Sequence, residues 1–451
     1  MPSGASAPSR NLLGTPWVRA LLKSRWFPAI FAYPTLVVFG YIVYALLCGP
    51  GAASANLGTT LTWVLWWPLI PLLMFALGRF WCAICPFATV IDTVQKLAGL
   101  GRPVTPFLKR YGIWIIDATF ILITWADHVF GIVESPRGSG YLLAMLVTAS
   151  VVTAVFYERR AWCRFLCFLG GLSGNYSRLA AIELRATPEI CATCKTQSCY
   201  RGDGQALGCP VFEFPRTMIS SANCSLCANC IKLCPNDSIR LMARTPTREL
   251  WFMSRPRFEE SFLAAVIVGI VLVQNVTMLS FWEPVMDWLT HLLVGSRTLA
   301  FTAIFTTAMA VPFGMMTAAA RLSGAATGES VSKNFARFGY AVIPLDLAGH
   351  IAHNLFHLLS EGKAVFFNAA ALVDYHVTGS AELVSPGTVT MLQFVIVGLG
   401  IAGSVYTATR IAQRSGSTAP PLQALLPHGI VLVLFGLVNL YLFTLPMVHR
   451  V

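Results

Sequence analysis

A chain of 451 residues that is 56% hydrophobic and only 12% charged holds more apolar side chains than one soluble core can bury. A soluble domain is thereby excluded, and an all-α polytopic membrane protein is expected. The net charge of +12 would suit nucleic acid, but basic residues also gather in the cytoplasmic loops of membrane proteins, and their placement decides between the two.

The stretch ahead of the first apolar run carries Arg10, Arg19, Lys23 and Arg25. It has no short apolar core followed by a cleavage site, so no secretory signal is expected before the first span. Nine spans are predicted, at about 29–48, 61–78, 112–133, 141–157, 261–282, 298–318, 339–359, 389–408 and 427–447. With the N-terminus inside, only Arg137, Arg297, Lys363 and Arg450 of the 32 Lys and Arg fall outside. That asymmetry orients the chain in a bacterial cytoplasmic membrane and accounts for the charge, so no nucleic-acid partner is needed. The expected domains are a tail (1–28), a four-helix membrane domain (29–157), a cytoplasmic insert (158–260) and a five-helix membrane domain (261–451).

All cysteines but Cys48 fall on the cytoplasmic side of this topology, where a reducing environment favours metal or thiol chemistry over disulfides. Cys48 reads as a small apolar residue. Two pairs lie where the chain leaves the membrane: Cys82 and Cys85 in "GRFWCAICPFATVID" after span two, and Cys163 and Cys167 in "RRAWCRFLCFLGGLSG" after span four. A span pair followed by a Cys pair, occurring twice, is an internal repeat. The two pairs could complete one four-thiolate site for a metal or cluster; buried structural thiols are the plainer alternative.

The insert contains "CSLCANCIKLCP", in which Cys224, Cys227, Cys230 and Cys234 follow C-x2-C-x2-C-x3-C-P. This spacing is the ferredoxin run for a [4Fe–4S] cluster, whose fourth Cys serves the other cluster of a pair. Upstream, Cys191, Cys194, Cys199 and Cys209 form a stretched version ending in Cys-Pro. The crossed pattern assigns Cys191, Cys194, Cys199 and Cys234 to one cluster, and Cys224, Cys227, Cys230 and Cys209 to the other, in a ferredoxin-like α+β domain. Zinc is the competing occupant for four thiolates, but two tandem sets ending in Cys-Pro disfavour it.

Over about residues 25–260 these motifs resemble the NapH/NosR/CcoG group of membrane-bound polyferredoxins. The resemblance implies electron transfer between the cytoplasm or quinone pool and periplasmic respiratory proteins, or assembly of copper-containing oxidases. Here the first station is C-x2-C-P rather than C-x3-C-P, and Phe168 replaces the proline after the second.

The five later spans lie outside that resemblance, and one holds "GHIAHNLFHLLS". On a helix His350, His353 and His357 share a face, and ionisable groups in lipid face protein, water or a cofactor. Counted from residue 339, they lie ~16, ~21 and ~27 Å across the membrane, with His128 of span three at a depth close to that of His353. The leading expectation is a redox station in the outer half of the membrane holding b-type haem, with His128 on the second axial side. Quinol, with Asp346 and Glu361 as proton acceptors, copper, and plain packing stay open. The combined reading is a membrane iron–sulfur electron-transfer protein acting with quinone or a periplasmic redox protein; the alternative is a metal-centre assembly factor. A transporter is disfavoured by the cluster motifs.

Overall fold

The computed structural model describes residues 10–204, 206–252, 255–375, 377–414 and 420–447. Among them are eight helices long and apolar enough to cross a membrane. We name them α1 (Ala29–Cys48), α2 (Leu57–Ala98), α3 (Pro106–Phe130), α4 (Pro136–Phe156), α5 (Phe258–Val276), α6 (Arg297–Thr327), α8 (Pro386–Gln413) and α9 (Pro421–Leu442). The expected ninth span is α7, Ile343–Ser360. It is helical as predicted, but its polar stripe removes it from the set that apolarity alone would admit.

Local chemistry sets these boundaries. Asn56 starts α2 by accepting from Thr59 N (3.2 Å), while its amide donates to the carbonyls of Ala45 and Pro50. Ser296 and Ser385 cap α6 and α8 through their hydroxyls, and Gly328 closes α6 in the left-handed conformation at φ 73°. Within α2 the regular helix stops at Leu77, where Gly78 (φ 60°) opens a tight turn; after Cys85 in extended backbone, Pro86 starts a separate helical stretch to Ala98.

The chain divides into two compact units. One comprises residues 1–39, 73–112 and 147–249. Within it, β1 (Ile182–Ala186) pairs antiparallel with β2 (Ile239–Ala243), Leu184 opposite Leu241. Leu184, Met218, Ala228, Ile231, Ile239 and Leu241 form its core together with Phe27. The N-terminal segment is part of this unit: Ala243 N donates to Arg10 O, and Arg19 and Lys23 pair with Asp237. Glu249 is buried among Arg178, Arg185 and Arg244, and accepts from Ser220 and from Ser221 N. Burial opposes its ionisation, but Arg244, Arg178 and Arg185 outweigh that and hold the carboxyl below its ordinary value.

The other unit comprises residues 40–72, 113–146 and 250–451. Here α7 runs antiparallel to α8. Leu345 N donates to Ser404 Oγ (3.0 Å) near one end, and Gln393 Nε2 donates to Ala352 O (3.1 Å) farther along. Gly400 makes the close approach possible: a Cβ there would stand 2.4 Å from Ala348 Cβ.

Candidate metal centres

The eight cysteines between 191 and 234 line two small pockets. Cys191, Cys194, Cys199 and Cys234 surround the first; Cys209, Cys224, Cys227 and Cys230 surround the second. The two Cys-Pro cysteines are exchanged between the sets. Each is steadied alike: Glu213 N donates to Cys209 Sγ and Ser238 N to Cys234 Sγ, both at 3.3 Å. Among the described residues, no group of three or more His, Cys, Asp or Glu is drawn together closely enough to hold a single metal ion.

Backbone strain gathers at these segments. Of the nine non-glycine residues with left-handed backbone among those described, six are Arg160, Gln197, Phe212, Leu226, Ala228 and Asp237. Each lies within three residues of a motif cysteine. Such a conformation costs ~1–3 kcal/mol apiece and persists only where surrounding structure enforces it.

Burial pushes the Cys199 and Cys209 thiols up to about 11 and Cys224 up to about 12, with neighbouring sulfurs adding to the effect. Cys194 goes the other way, lowered by the Gln197 backbone N–H and the Thr196 hydroxyl. Thiols packed this closely resist ionising together unless a cation accompanies them, and a bound metal centre deprotonates its thiolates outright.

The paired stations also converge. Cys82 feels Cys85, Cys163 and Cys167 electrostatically. Burial, reinforced by the other thiols, pushes Cys163 and Cys167 up to about 12. Two buried guanidiniums flank the four sulfurs. Arg79 hydrogen-bonds Cys82 and donates to Ala222 O; no carboxylate ion pair is found for it among the described residues. Arg160 grips Asp92 with Nε (3.1 Å) and Nη2 (2.6 Å) and donates from Nη1 to Cys82 O (3.1 Å). Sequence reasoning missed both arginines, though the signal was present: each station reads Arg-x-Trp-Cys, as Arg79-Phe80-Trp81-Cys82 and Arg160-Ala161-Trp162-Cys163.

The histidines are differently placed. His353 Nδ1 meets Asn275 Oδ1 at 2.8 Å, and His357 Nδ1 meets Glu361 Oε2 at 3.3 Å. Their rings pack edge to face with centroids 5.3 Å apart, and His350 packs on Trp67. His128 contacts Thr124 O and stacks on Phe301 in a pocket with Thr277, Trp282, Met286 and Arg297. These contacts give haem no support. The sequence reading also missed Asn275 and Asn439, which lie far from the histidines along the chain.

Comparison with known proteins falls on the stations. The 4Fe-4S binding domain family matches twice, over residues 59–105 and 139–185. Each match contains one Cys pair. An uncharacterized protein of Methanocaldococcus jannaschii is 26% identical over 178 residues, covering 38% of this chain and 68% of that protein. YccM of Escherichia coli K12, a protein named for electron transport, is 29% identical over 99 residues, covering 22% of this chain and 26% of YccM. No solved structure matches. The chain thus combines two matches to a 4Fe-4S binding domain with eight helices, among the described residues, that are long and apolar enough to cross a membrane, and it is similar to a protein named for electron transport.

Proposed function

We propose that this protein is a membrane-bound electron carrier with three iron–sulfur centres: two [4Fe–4S] clusters held by the crossed cysteine sets, and a third held by Cys82, Cys85, Cys163 and Cys167. The observation that carries it is the separation of eight cysteines into two rings of four, with Cys209 and Cys234 exchanged. A single zinc ion would draw its four thiolates to roughly 3.8 Å from one another, given Zn–S bonds of ~2.3 Å. A cubane instead takes each thiolate at a separate iron, which suits thiols ringing a cavity.

Such a cluster takes up and releases electrons at a potential set by charge, hydrogen bonding to sulfur and exposure. The chain's own residues supply those settings. Backbone N–H groups of Glu213 and Ser238 point at Cys209 and Cys234. Arg79 brings positive charge to the stations, where four thiolates would otherwise repel one another. The three sites follow one another. Cys209 N donates to Cys199 O (3.1 Å) between the two rings, and Arg160 feels both Cys227 of the second ring and Cys163 of the stations. Electrons would therefore step from the Cys191 ring through the Cys224 ring to the stations.

In this reading the cysteine unit faces the cytoplasm of a bacterial inner membrane, as the distribution of Lys and Arg supports. The exchange partner is the quinone pool or a periplasmic redox protein. Anaerobically purified protein should show three separately reducible centres by EPR-monitored redox titration. A short-chain quinol added to the oxidised protein in vesicles should reduce them. Reduction by dithionite but by no quinol would remove the quinone pool as partner; no reducible iron signal at all would end the proposal.

A further inference from the structure

The polar stripe on α7 is longer than its three histidines. Asp346, His350, His353, His357 and Glu361 recur at intervals of four, three, four and four residues, so all five share one face of the helix and its C-terminal cap. Each is 3% exposed or less. By helical rise they cover ~22 Å, most of a ~30 Å hydrocarbon core, with successive groups about 5–6 Å apart. None lacks an interacting neighbour.

Burying five ionisable groups in one membrane helix is costly, and plain packing does not call for them to be in line. Other polar residues nearby have local duties. Asn354 donates to His350 O, Gln393 to Ala352 O, and Ser404 accepts from Leu345 N. His428 is a buried membrane histidine off the line, and it is satisfied by Asn334 Oδ1 (2.9 Å) and by stacking on Phe338.

The geometry points to a proton path: α7 carries protons through the membrane domain along Asp346, His350, His353, His357 and Glu361. The bonding fixes how two members work. Phe435 O can only accept, so Asn439 turns its Nδ2 to it (2.9 Å). Asn439 Oδ1 then accepts from Asn275 Nδ2 (3.1 Å), and Asn275 Oδ1 accepts from His353 Nδ1–H. Neutral His353 therefore keeps its lone pair on Nε2, where a proton can be received and passed on. His357 donates Nδ1–H towards Glu361 Oε2; a proton taken at Nε2 releases the one on Nδ1 to the carboxylate.

For each proton entering at the Asp346 end, one leaves at the Glu361 end, and every group returns to its starting charge. Steps longer than a hydrogen bond take a bridging water or a side-chain rotation. Asn275 meets His353 and is held in turn by Asn439, and Trp67 packs on His350; none of these three titrates near neutrality. This inference concerns α7 alone and stands apart from the number of clusters.

The test uses the full-length, cluster-loaded protein in liposomes containing a pH-sensitive dye, under an imposed potassium diffusion potential. Flux is read with the clusters oxidised and with them reduced. The expected result is wild-type proton flux at least tenfold above protein-free vesicles in one or both redox states. The near-isosteric Asp346→Asn and Glu361→Gln variants should lose at least nine-tenths of it, while His428→Gln retains it. Near-ultraviolet circular dichroism and size-exclusion elution matching the wild type report that each variant is folded. Wild-type vesicles no leakier than empty ones in both redox states would overturn the path. So would wild-type flux through folded Asp346→Asn and Glu361→Gln.

Discussion

In the cysteine unit, eight sulfurs line two pockets and four more belong to the paired stations, carried on turns and short helices with left-handed backbone nearby. In α7, five ionisable groups arrive on a single regular helix with no backbone distortion. The difference follows from what each arrangement must do. A metal centre needs donors converging from several directions, which one helix cannot supply because its side chains diverge. A path needs donors spaced evenly along a line, which one helix face supplies directly. Convergence costs strain, as at Leu226 and Ala228; alignment costs desolvation, as at Asp346 and His350.

The largest effect expected from breaking either region is at the stations. Alanine at any one of Cys82, Cys85, Cys163 or Cys167 should remove the third centre as a unit, with about four irons lost per chain. It should impair electron transfer about as much as replacing all four. Small, independent effects measured by iron content and turnover would mark these cysteines as separate structural thiols.

Next is Glu249→Ala, which leaves Glu183 as the remaining carboxylate for half-buried Arg185 and buried Arg244, and takes from buried Arg178 its carboxylate neighbour. Removing one partner of a buried ion cluster costs about 3–5 kcal/mol, readable by thermal unfolding of the cysteine unit. The sign with pH follows. The Glu249 carboxyl is held below its ordinary value of 4.5, so its stabilisation is complete above that pH and disappears as pH falls through the lowered value. Wild-type thermal stability should therefore drop below about pH 4.5, and the Glu249→Gln variant should show a shallower drop.

Arg79→Gln sharpens the comparison on the electrostatic side. Unit charges about 7 Å apart at an effective dielectric near 20 interact by about 2.4 kcal/mol, on the order of 100 mV for one electron. The station centre should shift to lower potential by that order while the two ferredoxin-type centres move less, as read by redox titration. Smallest is Asn439→Ala in the histidine region. Polar pairs between membrane helices average about 0.6 kcal/mol, so unfolding should change little. Proton flux through α7 should fall because His353 is no longer held in one tautomer.

Most of the fold was legible because its signals are local. Each of the eight helices long and apolar enough to cross a membrane overlaps an expected apolar run, and Cys-x2-Cys-x2-Cys-x3-Cys-Pro marked the cysteine unit by its spacing. The convergence of the two stations was legible only as a repeat, and its arginines were overlooked although Arg-x-Trp-Cys occurs twice. Span seven was found, but not what its histidines meet. Three histidines on one face suggested a haem ligand set; His353 meets Asn275 of α5, which is held in turn by Asn439 of α9. No pattern within α7 could reveal them, since a hydrogen bond between distant segments leaves no periodic trace. The expected end of span two at 78 coincides with the end of its regular helix at Leu77; the short helices from Trp81 to Ala98 that follow it were not foreseen.

The central claim, that thiolates here hold iron–sulfur clusters, is tested most directly by metal and sulfide content of anaerobically purified, full-length protein. The account predicts about twelve iron and twelve acid-labile sulfide per chain, eight of each from the crossed rings and four from the stations. Stoichiometric zinc with less than one iron per chain would contradict it.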